Sequence, residues 1–285
     1  AHGLYNETRD IDMLRTSILL PQSIYVEGRR DTFTRLQGVG IYGEIPLGPV
    51  GSLSYQATAG TNNPPDDGGV ARELEAPGLF EVTDIDNKLT YNGSLVWHSP
   101  VDGVRSAATG LKTTDLDVEL KTRIPLGPQI PAGTDVLSKV DFWTEVFSLE
   151  YQTERLTLAA EYMVSKTTEN LVGIAPVGSF ESEGYYLKAA YRLTDWLQIG
   201  SYYSEFYPDK DDKDGDRFEN DPIRPDHKAW QKDLALSLRF DLNEHWIVKL
   251  EGHQMNGTGL LLNTDNPDGY EEDWFLFAAK ATFSF

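Results

Sequence analysis

The chain closes on EEDWFLFAAKATFSF, residues 271–285, and the alternation in that stretch decides the fold. Phe275, Phe277, Ala279, Ala281, Phe283 and Phe285 recur at every second position. Trp274, Leu276, Ala278, Lys280, Thr282 and Ser284 fill the positions between. Successive side chains of a strand point to opposite faces, so the two sets occupy opposite sides of a sheet. A water-soluble sandwich would bury the aromatic face and rarely end its chain there, whereas a membrane barrel turns it toward lipid.

Composition narrows the choice. No run among the 285 residues approaches the ~20 consecutive apolar residues of a spanning helix. That excludes a helical membrane protein but not a barrel, whose strands carry their apolar residues in alternation. Fourteen Tyr and six Trp in so polar a chain fit interfacial aromatic girdles. The absence of Cys removes disulfides, thiolate metal sites and a Cys nucleophile. A net charge of −20 argues against nucleic acid as a partner. AHGLYNETRD (1–10) has neither the basic nor the apolar region of a signal peptide, so the chain reads as mature or as lacking its beginning.

Working back from the terminus, similar segments recur at 37–46, 51–60, 88–98, 104–114, 142–152, 154–166, 182–193, 195–207, 228–241 and 244–256, with 272–285 the eleventh. In 228–241, Trp230, Leu234, Leu236, Leu238 and Phe240 oppose Gln231, Asp233, Ser237 and Arg239. Short links rich in Pro, Gly, Asp or Asn (46–51, 99–103, 152–155, 193–196 and 241–245) join alternate pairs, as tight hairpins require. The links between them, 61–87, 115–141, 167–181, 208–227 and 257–271, are long. All short turns therefore fall at one end of the sheet. Residues 61–87, 208–227 and 257–273 carry net charges of −6, −4 and −5, so the acidity belongs to the long loops. LDVELKTRIPLGP (116–128) alternates like a strand, although its position puts it in an outer loop. A sandwich with one polar face alternates equally well. The one-ended turns, the charges of both signs on the polar faces and the final Phe favour a transmembrane antiparallel β-barrel.

The terminal FAAKATFSF, the hairpins, and the opening GLYNETRDIDMLRTSILLPQSIYVEGRRDTFTRLQGVGIYGE together make the chain resemble the porins of Gram-negative outer membranes. The resemblance implies one barrel domain over 1–285, with a constriction loop over 9–36 and strands and loops over 37–285. The end of an outward strand at Leu4–Thr8 would precede the loop. The eleven strands would be strands six to sixteen of sixteen, with earlier strands lacking. The alternative reads 1–8 as the first strand of a complete twelve-stranded barrel. The resemblance to phosphate-selective porins is loose, because their basic clusters have no residue-by-residue match. It further implies a homotrimer, outer-membrane lipid and lipopolysaccharide as surroundings, and recognition of Phe285 by the barrel-assembly machinery.

Residues 7–35 hold Arg9, Arg15, Arg29, Arg30 and Arg35 beside Glu7, Asp10, Asp12, Glu27 and Asp31, five of the thirteen Arg in about a tenth of the chain. Opposed charges in a pore set a transverse field that filters solutes. The same pairs could instead hold an ordinary loop in shape. Inward parity selects Arg155, Lys188, Arg192, Arg239, Lys249 and Lys280, against Glu161, Asp233, Asp241, Glu251 and Glu272, as a pore wall of near-balanced, slightly basic charge.

DKDDKDGDRFENDP (209–222) partly matches a calcium loop, with Asp212 and Asp214 in place but Lys210 at the first position and Asp221 at the twelfth. It reads as a solvated acidic loop, with divalent bridging to lipopolysaccharide a minor hypothesis. GHQMNG (252–257) offers a His and an Asn, as in outer-membrane phospholipases. His253 has no suitably placed Ser and points inward, away from lipid. The expectation is a passive diffusion pore without catalysis, cofactor or resident metal. The rival is a structural barrel that holds a partner protein or surface assembly.

Overall fold

The computed structural model describes residues 2–8, 10–218 and 225–284, so Arg9, Asp221 and Phe285 lie outside the described residues. Eleven strands form one sheet: β1 (Gln37–Pro46), β2 (Ser52–Thr61), β3 (Phe80–His98), β4 (Val104–Thr122), β5 (Asp135–Gln152), β6 (Leu156–Leu171), β7 (Gly178–Arg192), β8 (Leu197–Tyr207), β9 (Gln231–Asp241), β10 (Trp246–Gly257) and β11 (Asp273–Phe283). Their spatial order follows the chain from β1 to β11, and every neighbouring pair is antiparallel. In such a meander every odd-to-even link lies at one end, so the five short turns share it. The turn at 47–51 depends on Gly51, where φ is +97° and a Cβ would lie 1.9 Å from the carbonyl oxygen of His98.

The two faces differ as the alternation requires. Outward positions near the short turns carry Leu95 and Trp97 on β3, Phe147, Leu149 and Tyr151 on β5, and Leu234 and Leu236 on β9. Phe275 is 80 % exposed. The first outward charges on six strands are Lys112, Glu145, Glu183, Glu205, Lys232 and Asp273. Below that level the outward face carries no charged side chain among the described residues. About eight residues at about 3.3 Å each, tilted by about 40°, make a band roughly 20 Å tall, close to what a bilayer core demands.

Several strands run well past that band. β3 and β4 have 19 residues each, whereas crossing takes about 9–11. The expected loop 115–141 is therefore corrected: only 123–134 links β4 to β5, and 116–122 continues β4. An irregularity hides the continuation. Asp115 has φ +52° and the β4–β5 register shifts between Thr113 and Leu116, which moves the inward parity by one. Below the shift the buried positions are Thr109, Leu111 and Thr113; above it they are Leu116, Val118 and Leu120. Polarity inverts with height. The upper inward face packs Phe80, Val82, Ile85, Val136 and Val140 around Ala71 of the helix Gly69–Glu75. Outside, Asp117 pairs with Lys88 and Lys139 in water.

The opening segment is not a strand. Residues Asn6–Thr8 and Asp12–Leu14 form single 3-10 turns, and Arg30–Thr34 forms a short helix. This corrects both sequence expectations for the start, an outward strand ending at Leu4–Thr8 and a first strand over 1–8. β1 and β11 are not paired with each other, and in a meander of eleven they run in the same direction. The sheet is curved enough that Arg72 Nη2, in the β2–β3 link, reaches both carboxylate oxygens of Asp265, in the β10–β11 link, at 2.6 and 2.8 Å.

The outward band yields a test of register. Leu236→Arg is expected to lower stability in lipid vesicles by about 2–4 kcal/mol, while Leu236→Phe is tolerated. Urea titrations followed by Trp fluorescence measure both, and equal stability of the two variants would contradict an outward Leu236.

Candidate functional site

An irregular segment has backbone donors and acceptors that no ladder satisfies, and inward charges on a wall have no solvent once covered. Residues 2–33 and the wall solve both problems together. On β10, the Lys249 ammonium is 1 % exposed and donates to the Asp12 carbonyl at 2.7 Å, to Asp12 Oδ1 at 2.8 Å and to the Ser17 carbonyl at 3.3 Å. Lys280 of β11 reaches the same carboxylate at 3.1 Å, and the Thr282 hydroxyl donates to Asp12 Oδ2 at 2.6 Å. Burial alone would raise the Asp12 pKa. The hydrogen bonds from Lys249, Thr282 and Lys280 outweigh it and hold the carboxyl at about 2.

Glu251, two residues along β10, accepts the backbone N–H groups of Ile18 and Leu19 at 2.7 and 2.9 Å and the Ser237 hydroxyl at 2.6 Å. On β9, the Arg239 guanidinium donates to the carbonyls of Met13 and Arg15 and to Asp241. A second cluster sits on β5–β7. Glu161 accepts from Leu4 N at 2.8 Å, from the hydroxyls of Ser148 and Tyr186 at 2.6 and 2.7 Å, and from the Tyr25 hydroxyl. Glu150 accepts from the Tyr5 hydroxyl and from Arg105 Nε. Burial first, and the adjacent Glu161 second, hold the Tyr25 hydroxyl protonated far above its ordinary range.

Apolar packing completes the seat. Leu20, Ile24 and Tyr25 are buried against Val146, Ala159, Met163, Tyr186 and Phe206. The approach is close enough to require glycine on the wall, since a Cβ at position 184 would lie 2.2 Å from the Ser23 carbonyl oxygen. The far end of the segment is held from above. Arg29 pairs with Glu73 at 2.9 Å, Asp31 accepts Gly69 N at 3.3 Å, and Arg30 pairs with Asp10 at 2.5 Å.

The structure distributes the expected constriction residues rather than gathering them into one ring. Asp12 and Arg15 are buried against β9–β11, and Arg29 and Asp31 lie beside the Gly69–Glu75 helix. Glu7, Asp10, Glu27 and Arg35 are exposed, and Arg30 holds Asp10. Arg9 lies outside the described residues. Among the wall residues, Glu161, Lys188, Asp233, Arg239, Lys249 and Glu251 are all buried on the inward face. Arg192 pairs with Asp241 at 2.9 Å, and Arg155 is exposed on the β5–β6 turn. Sequence reading missed Glu150, although it shares the inward parity of Ser148, and missed Tyr25 and Tyr186, which look like ordinary core aromatics.

His253 is inward, with Nδ1 3.0 Å from Asp233 and Nε2 3.1 Å from Glu251, so both ring nitrogens face carboxylates. Among the described residues no group of three or more His, Asp or Glu is placed to hold a metal. Asp212 is buried and accepts Arg217 N at 3.4 Å, whereas Asp214 is exposed.

No protein-family model matches the chain, and no curated protein matches it. Among solved structures, outer-membrane OmpT of Vibrio cholerae aligns over 99 % of this chain and 74 % of its own, at 11 % identity and a TM-score of 0.55. The outer-membrane channel DcaP of Acinetobacter baumannii aligns over 88 % of this chain at 13 % identity and a TM-score of 0.48. The chain spans 63 % of the length of DcaP. The Pseudomonas putida toluene transporter TodX aligns at 11 % identity and a TM-score of 0.41. The fold is that of the outer-membrane β-barrels: all-β, antiparallel, with an uncharged band outside and polar side chains within.

The Asp12–Lys249 contact makes two predictions. Lys249→Met leaves Asp12 buried with fewer partners and is expected to cost about 3–5 kcal/mol. Because Asp12 titrates at about 2, below an ordinary carboxyl, its contribution is complete above about pH 4 and is lost as pH falls through about 2. Thermal melts of the protein and of Asp12→Asn should therefore differ at pH 5 and converge near pH 2. A constant difference across that range would contradict the assignment.

Proposed function

We propose that this protein lies in the outer membrane of a Gram-negative bacterium and forms a water-filled channel for passive diffusion of small hydrophilic solutes or ions. In this reading residues 37–285 supply wall and loops, and residues 9–36 form the constriction. The observation that carries it is the seating of the opening segment on the inward face by Lys249, Arg239, Glu251 and Glu161. A barrel with an uncharged exterior has no use for an irregular charged segment inside unless the interior is wet. Charges of both signs on the segment and the wall then border an aqueous passage between low-dielectric walls, where they act on passing ions with less screening than on an open surface. Diffusion needs no cofactor and no catalytic residue.

Closure follows from strand direction. β1 and β11 run the same way, so an antiparallel barrel needs an odd number of further strands between them, and five would make sixteen. Assembly as a homotrimer, contact with lipopolysaccharide and recognition of Phe285 by the assembly machinery belong to the same proposal. The rival is a structural barrel that holds a partner.

Planar-bilayer recordings separate the two. Steady conductance steps are expected of the channel, whereas silence from folded protein would favour the scaffold. Replacing Arg15, Arg29 and Arg30 together by Ala is expected to shift the reversal potential toward cations in a KCl gradient. An unchanged reversal potential in the folded variant would remove the segment as the filter.

A further inference from the structure

Between the opening segment and the short-turn end of the wall lies a cavity of about 380 Å³. Six basic side chains line it: Arg15, Arg105, Arg155, Lys188, Arg192 and Arg239. Among the described residues Glu150 and Glu154 are its only carboxylates, so that lining is net basic while the long loops at the opposite end are acidic. Most of these cations are occupied. Arg105 serves Glu150, Arg192 and Arg239 serve Asp241, and Arg239 also holds the carbonyls of Met13 and Arg15.

Lys188 is different. It is 8 % exposed, yet its ammonium has neither an ion pair nor a hydrogen-bond acceptor among the described residues. The ammonium lies over the Tyr5 ring, 5.1 Å from its centroid. The side chain is covered while its ammonium opens on the cavity, and a cation–π contact offsets only part of the hydration it gives up there. Arg155, on the exposed β5–β6 turn at the rim of the same cavity, also makes no ion pair among the described residues. A buried cation and a rim cation, both open to one cavity, form a receptor for negative charge.

We infer that this cavity is an anion-binding site that takes the carboxylate or phosphate group of a small solute, with Lys188 as the inner contact and Arg155 at the entry. The volume falls within the range of small-molecule sites and admits a small organic anion with room to spare. The inference deepens the channel reading by giving it a solute class, but binding does not itself require conduction.

Isothermal titration of the full chain in detergent, at fixed ionic strength, tests it with inorganic phosphate and with acetate as probes. Saturable binding of at least one probe is expected. Lys188→Met should weaken it about tenfold or more, the scale of one charge-assisted hydrogen bond. Lys188→Arg should largely retain binding, and Lys139→Ala, on the outer surface, should not alter it. If Lys188→Met fails to fold, Arg155→Gln gives the second reading and should also weaken binding. Absence of saturable binding of either probe, or binding unchanged in Lys188→Met or Arg155→Gln, overturns the site. Conductance in bilayers without anion binding would sink the site and leave the channel, whereas binding by a silent barrel would do the reverse.

Discussion

Everything in the interior depends on one mutual constraint: buried charges on the wall and unpaired backbone in the opening segment satisfy each other. Lys249 and Glu251 are each 1 % exposed, which is tolerable only because each meets several partners. Those partners are mostly main-chain groups of residues 12–19, which form no ladder of their own. Removing either side strands the other. The segment is therefore part of the wall's electrostatic solution rather than a loop that happens to lie nearby.

The sheet has to face three environments, and its parity tracks them. Near the short turns the outside is apolar and the inside polar. Above the shift at Asp115 the outside is charged and the inside is a small apolar core under the Gly69–Glu75 helix. One extra residue in a strand is enough to exchange the two faces. That exchange lets the same strands leave lipid and continue as a water-soluble collar, which in turn holds Arg29 and Asp31 at the far end of the opening segment.

Much of this was legible in the residues. Strands such as β9 and β10, with Leu234, Leu236 and Leu238 against Asp233, Ser237 and Arg239, state their facing outright because nothing interrupts period two. The stretch 116–122 was unreadable for the opposite reason: the shift at Asp115 inverts its faces, so a continuous strand looks like a new element in a loop. The start misled because Leu4–Thr8 carries strand-like residues, while the N–H groups of Leu4 and Tyr5 donate to the side chains of Glu161 and Tyr25 far away in the chain. Parity correctly set Lys249, Glu251 and Glu161 inward. Which segment they hold could not be read from parity, since pairing over more than a hundred residues leaves no local pattern.

The seating of residues 11–25 on the inward face is tested most directly by amide hydrogen exchange of the protein in lipid. The N–H groups of Ile18 and Leu19 donate to a carboxylate that is itself almost fully buried, and those of Ile24 and Tyr25 are bonded within a packed turn. Peptides covering 11–25 are expected to exchange slowly, on the timescale of the strands, and Glu251→Ala is expected to accelerate them selectively. Exchange of 11–25 as fast as that of the β2–β3 link at 62–68, in protein whose strands remain protected, would contradict it.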